Sequence, residues 1–114
     1  MAIDFYRNTN KSDNRPTLNI TGATVSGCRY LSDKVIAFTF GIPGFVIYNM
    51  KVVAGKRGPF LSVPQVKTNK GDKWIDMCGV FLSEGDTERV IQAVCDNAVQ
   101  VGETVDWKTR HEVK

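Results

Sequence analysis

The chain has 114 residues and 12.7 kDa, is 42% apolar and 24% charged, and carries a formal net charge of +3 at pH 7. That is the make-up of one soluble globular domain, and it excludes disordered, collagen-like and coiled-coil readings. The longest apolar runs, Val35-Ile36-Ala37-Phe38 and Phe45-Val46-Ile47-Tyr48, fall far short of the ~20 residues of a membrane span.

Residues 1–16 are polar, contain Asp4 and Asp13, and end in Arg15-Pro16. They read as a flexible arm without the basic end and apolar stretch of a secretory signal, so a cytoplasmic location is expected. Cys28, Cys78 and Cys95 are odd in number and contain no C-x-x-C. They suggest neither a disulfide set nor a zinc site and read as small core residues.

Alternation at Leu18 and Ile20, and again at Ala23 and Val25, predicts a strand broken or bulged at Gly22. Residues 27–34 read as a turn region. Residues 35–40 form a second strand, and Gly41-Ile42-Pro43-Gly44 a tight reversal. A β-branched and aromatic third strand follows at 45–53, reversing through Ala54-Gly55-Lys56-Arg57-Gly58. Residues 60–63 return as a strand stopped by Pro64, which cannot donate to a ladder. A polar loop at 65–73 leads to a last strand at 73–81, with Trp74, Asp76 and Cys78 on one side and Ile75 and Met77 on the other.

The period then changes. Val90, Ile91, Val94, Cys95 and Ala98 make the stripe of an amphipathic helix about 13 residues long, capped at Asp86 and ending near 99–102. Residues 104–113 alternate again, as a short edge strand or a frayed tail. The expected architecture is α+β: a four-stranded antiparallel sheet followed by one C-terminal helix. Residues 17–102 form the domain, and 103–114 the tail or edge strand. Large apolar groups on both sides of the second and third strands require a cover beyond one helix, for which a dimer partner is the simplest choice.

Catalytic constellations are missing. His111 is the single histidine, and no nucleophile elbow, zinc helix, Walker loop or dinucleotide fingerprint occurs. Gly55-Lys56-Arg57-Gly58 lacks the following helix that a phosphate loop uses, and Asp72 with Asp76 is too sparse for a metal site. A non-enzymatic protein without cofactor or metal is expected.

Charge is distributed unevenly. Between residues 51 and 73, Lys51, Lys56, Arg57, Lys67, Lys70 and Lys73 stand against Asp72 alone, whereas residues 84–114 hold seven acids and four bases. A basic strip on neighbouring strands is the footprint expected for a polyanion.

The run from Phe45 to Val53, then Gly55-x-x-Gly58-x-Phe60-x-x-x-Pro64, Gly71 and Trp74-Ile75-Asp76, resembles the stage V sporulation protein G (septation regulator) family, and the likeness continues through the helix. The resemblance implies a small dimer with a sheet followed by a helix that binds DNA and in some cases RNA. It places Gly58, Phe60 and Pro64 at the hairpin and its exit, and Lys67 and Lys70 in a basic loop near nucleic acid. Gln65-Val66 before Lys67, and Cys78-Gly79 where the family has His-Pro, mark a distant member. The order of elements is also similar to single-strand binders of the positive-cofactor-four and Whirly type. The expected function is therefore binding of single-stranded DNA by a homodimer. Lys51, Lys56, Arg57, Lys67, Lys70 and Lys73 line the phosphate path, and Trp74, with Tyr48, is a candidate for base stacking. A dimeric regulatory adaptor without nucleic-acid binding is the alternative. The acidic start of the helix disfavours major-groove readout.

Overall fold

The computed structural model describes residues 16–69, 71 and 73–114, so the expected arm is outside the described residues except for Pro16. Strands β1 (Thr24–Ser32), β2 (Val35–Ile42), β3 (Phe45–Gly55) and β4 (Gly58–Ser62) form an antiparallel meander. Among the described residues, strands β5 (Gln65–Lys67) and β6 (Trp74–Asp76) pair only with each other. Helix α1 (Glu84–Asn97) follows, and β7 (Arg110–Glu112) pairs with β1. The result is an α+β fold with a curled sheet ordered β4-β3-β2-β1-β7.

The sheet thus has five strands rather than four. The fifth is the segment read as edge strand or tail: Thr24, Val25 and Ser26 face Glu112, His111 and Arg110. Just beyond β7, Val113 is buried, and its N–H donates to the Ala23 carbonyl at 2.9 Å. The strand expected over 73–81 shrinks to the three residues of β6: Met77 N–H still donates to the Pro64 carbonyl at 2.7 Å, but Pro64 has no N–H to return, and the ladder ends there.

The turn expected over 27–34 is mostly strand. β1 continues to Ser32, and the reversal is confined to Asp33-Lys34 between the paired Ser32 and Val35. Gly27, at φ 59°, takes up a bulge where the register jumps from Ser26↔Thr39 to Arg29↔Ala37. A bulge of this kind breaks the period-two pattern without ending the strand. Conversely, 18–20 is not strand. The Asn19 carboxamide oxygen accepts from Thr21 N–H (2.9 Å) and Thr21 Oγ1 (2.7 Å), turning the chain before β1 begins. A second bulge lies on β3, where Phe38↔Met50 and Phe40↔Ile47 leave Tyr48 and Asn49 opposite Thr39; Asn49 takes φ 64° there. Asn tolerates this left-handed conformation better than most residues.

One face of the sheet is the core. Val25, Ile36, Phe38, Phe40, Ile47, Met50 and Val52 pack with Val90, Ile91 and Val94 of α1. Cys28 is buried, but Cys78 and Cys95 are exposed, which corrects the expectation of three core cysteines. Cys78 lies outside the shortened β6, and Cys95 falls at the edge of the helix stripe. The helix is capped by Ser83 rather than Asp86: Ser83 Oγ accepts from Asp86 N–H at 3.2 Å, and Asp86 pairs with Arg89 at 3.0 Å. It ends at Asn97, earlier than expected, because Val99 is drawn onto β1. Its N–H donates to the Cys28 carbonyl and its carbonyl accepts from Tyr30 N–H, both at 3.0 Å.

Candidate functional site

The described basic residues singled out from the sequence fall in three places. Lys56 and Arg57 are exposed at the tip joining β3 and β4, between the paired Gly55 and Gly58. Lys51 is half-buried in mid-β3, beside Ala37 of β2 and Ser62 of β4. Lys67, Lys73 and Trp74 belong to the β5–β6 hairpin, where Lys67 faces Trp74 and Thr68 N–H donates to the Lys73 carbonyl at 3.0 Å. Lys70 and Asp72 are outside the described residues.

The β5–β6 hairpin has two unlike faces. Paired residues of antiparallel strands share a face, so Val66 and Ile75 lie together with Met77, all exposed. The opposite face carries Lys67, Trp74, Gln65 and Asp76, and the Gln65 amide donates to Asp76 Oδ1 at 2.7 Å. Trp74 is 60% exposed, which places it on the surface and not in the core. The division of Trp74 and Asp76 from Ile75 and Met77 is the one the alternation predicts.

A second constellation was not assembled from the sequence. Among the described residues no helix covers the sheet face opposite α1, and the registers place side chains on it in rows across the strands. Ser62, Lys51, Ala37 and Arg29 make one row; Thr39, Ser26 and Arg110 make another, with Tyr48 on the adjoining bulge; Val46, Gly41, Thr24 and Glu112 make a third. Between Tyr48, Trp107 and Arg110 runs a groove of about 530 Å³, with Thr24, Ser26 and Thr39 among its lining residues.

Trp107 is held there from three sides. Its six-membered ring covers Gly27 so closely that a Cβ on that glycine would sit 2.7 Å from it. The Arg29 guanidinium carbon is 4.7 Å from the ring centroid, and Arg29 Nη1 also donates to the Gly27 carbonyl at 3.2 Å. Next to it, Asp106 accepts from Lys108 N–H (2.9 Å), Thr109 N–H (3.3 Å) and the Thr109 hydroxyl. Hydrogen bonding, chiefly from that hydroxyl, holds the Asp106 carboxyl below its ordinary range. The available sequence signal was the alternation of Trp107 and Thr109 next to the Asp-x-x-Thr spacing of a side-chain-capped turn. The Gly27 bulge that receives the indole has no such signature.

Elsewhere, burial pushes the Cys28 thiol up to about 11, with Cys95 adding to the shift. An apolar groove lined by Leu18, Ile42, Phe45, Val80 and Phe81 opens at the end of the core face, with Pro16 at its margin. Among the described residues no three His, Cys, Asp or Glu side chains gather as a metal site, and no helix is long and apolar enough to cross a membrane.

Compared with known proteins, the chain matches no family model, no curated protein and no solved structure.

Proposed function

We propose that the protein binds single-stranded nucleic acid, DNA in preference to RNA, as a homodimer in the cytoplasm, without catalysis or a cofactor. The observation that carries this reading is the β5–β6 hairpin, which sets Trp74 and Lys67 side by side on one exposed face with Lys73 adjoining. Cations next to an exposed aromatic are the elements of phosphate contact and base stacking. Lys56 and Arg57 supply a second cationic point at the tip joining β3 and β4, and Lys51 and Lys70 complete the proposed path. Among the described residues, the ion pair between Arg89 and Asp86 is remote from these positions in sequence and engages neither Lys56 nor Arg57.

The other hairpin face supports dimerisation. A two-stranded hairpin is marginal in water by itself, and Val66, Ile75 and Met77 are uncovered. A second copy supplies the missing cover. The exposed thiols of Cys78 and Cys95 suit a reducing compartment. Distant kinship with the stage V sporulation protein G family is part of the proposal and is supported by the motif residues quoted above; the positive-cofactor-four and Whirly type predicts the same physics.

Fluorescence anisotropy of a labelled single-stranded oligonucleotide at several salt concentrations tests the reading. With all six cations on phosphates, log affinity falls against log salt with a slope of about −4. Absence of binding at low salt overturns it and favours the adaptor, for which the uncovered face of Val66, Ile75 and Met77 is the supporting observation. Light scattering tests the dimer separately.

A further inference from the structure

We infer that the groove on the sheet face opposite α1 is a nucleobase site, in which Tyr48 and Trp107 flank an unstacked base of a single strand while Arg110, Arg29 and Lys51 meet the adjoining phosphates. This rests on the single-strand reading above and extends it to a surface on which none of the residues other than Lys51 and Tyr48 was singled out from the sequence.

Core packing does not account for these aromatics. Both lie on the side of the sheet away from α1, with Tyr48 69% and Trp107 58% exposed. Trp107 is nevertheless fixed, by Gly27 and Arg29 of β1 packed against its ring and by the Asp106 turn next to it in the chain. An exposed ring whose freedom is already lost on folding binds a planar ligand with little further entropic cost. The indole is also the side chain that best combines ring stacking with a stacked cation.

The lining matches the ligand. Arg110 is the one charged residue among the described residues lining the groove, with Glu112 in the next row across Thr24, so a strand seated in the groove meets a cation there. Thr24, Ser26 and Thr39 present hydroxyls that can donate or accept, which suits base edges of either kind and predicts tolerance of sequence. Gly41 adds no side chain between Thr24 and Val46, keeping the groove open. The volume falls within the ~300–1,000 Å³ of small-molecule sites. Along β3 the same face leads from Tyr48 through Lys51 and Val53 toward Lys56 and Arg57, so a strand seated in the groove has a cationic route to the hairpin tip.

The test uses the full parent chain, with a Trp107→Phe chain run in parallel so that the emission of Trp107 is the difference between the two. A labelled oligothymidylate and an abasic strand of equal length are titrated while anisotropy and Trp107 emission are recorded together. The expected result is that both strands bind and that only oligothymidylate quenches Trp107. Adding Tyr48→Ala, an exposed position whose change leaves the fold intact, then weakens oligothymidylate binding about tenfold or more and leaves the abasic strand unaffected. Binding of oligothymidylate with Trp107 emission unchanged, or with Tyr48→Ala affecting both strands equally, overturns the nucleobase site while the wider reading stands. If neither strand binds, both fall.

Discussion

Arg29 and Trp107 meet across the Gly27 bulge, with the guanidinium carbon 4.7 Å from the indole centroid, although one residue belongs to β1 and the other to the segment leading into β7. The contact joins the middle of β1 to a segment that arrives after the helix, and several expectations follow from how it is held.

Gly27→Ala is expected to destabilise the fold by about 2 kcal/mol or more. An L-residue at φ 59° costs roughly 1–2 kcal/mol, and the new methyl would also strike the Trp107 ring at 2.7 Å. Urea denaturation measures the loss, and in the Trp74→Phe background the emission of Trp107 reports its displacement.

Asp106→Ala is expected to free Trp107 with little effect on the core, seen as a red-shifted emission with a near-native melting temperature. Acid should mimic it in the parent chain. Because hydrogen bonding lowers the folded carboxyl below its ordinary 3.8, the turn is intact above that pH and is lost as pH falls through the lower folded value. An emission change in the Trp74→Phe chain that is complete well above pH 3.8 would contradict the assignment.

Cys28 should resist thiol reagents in the native protein near about pH 8, while Cys78 and Cys95 react; denaturant should release the third thiol. Burial raises the folded pKa of Cys28 from 9.0 to about 11. Its contribution to stability is therefore complete below about pH 9 and is lost as pH rises toward 11, since the unfolded thiol ionises first. Cys28→Ala should flatten the stability profile in that window, as read by urea midpoints.

Ser83→Ala is expected to cost about 1 kcal/mol through the lost cap on Asp86 N–H, whereas Asp86→Ala, which removes only an exposed partner of Arg89, should cost less. Chemical denaturation of the two variants ranks them, and the reverse order would restore Asp86 as the cap.

Lys56→Glu with Arg57→Glu should weaken oligonucleotide binding and make its loss with salt shallower, from a slope of about −4 toward about −3, while the melting temperature moves by no more than about 2 °C, because the exposed tip contributes little to the core. Unchanged affinity would remove the tip from the phosphate path.

The second and third reversals of the meander were legible because each carried its own chemistry: Pro43-Gly44 and Gly55 to Gly58 mark the turns between which β-branched runs alternate. The helix was legible from Val90, Ile91 and Val94. What alternation cannot reveal is a residue inserted into a strand. Gly27 reads as the start of a turn and is a bulge inside β1, and Asn49, within what reads as an uninterrupted strand over 45–53, is a bulge in β3. Both bulges bear on the face opposite α1, so the groove of Tyr48 and Trp107 was hidden for the same reason that β1 was read as too short. The cap was misplaced because Ser83 and Asp86 both suit a helix start, and only the hydrogen bond between them separates the roles.

The pairing of β7 with β1 also bears on biosynthesis. A ribosome completes the meander and the helix while β1 still lacks a neighbour along part of its flank, and that flank is occupied only after residues 110–113 have been made. Until then the nascent chain exposes an unsatisfied strand margin at Thr24 to Ser26, open to pairing with other nascent chains. Slow translation of the last stretch should therefore raise the aggregated fraction, and a shortened message that ends before Arg110 should do so most.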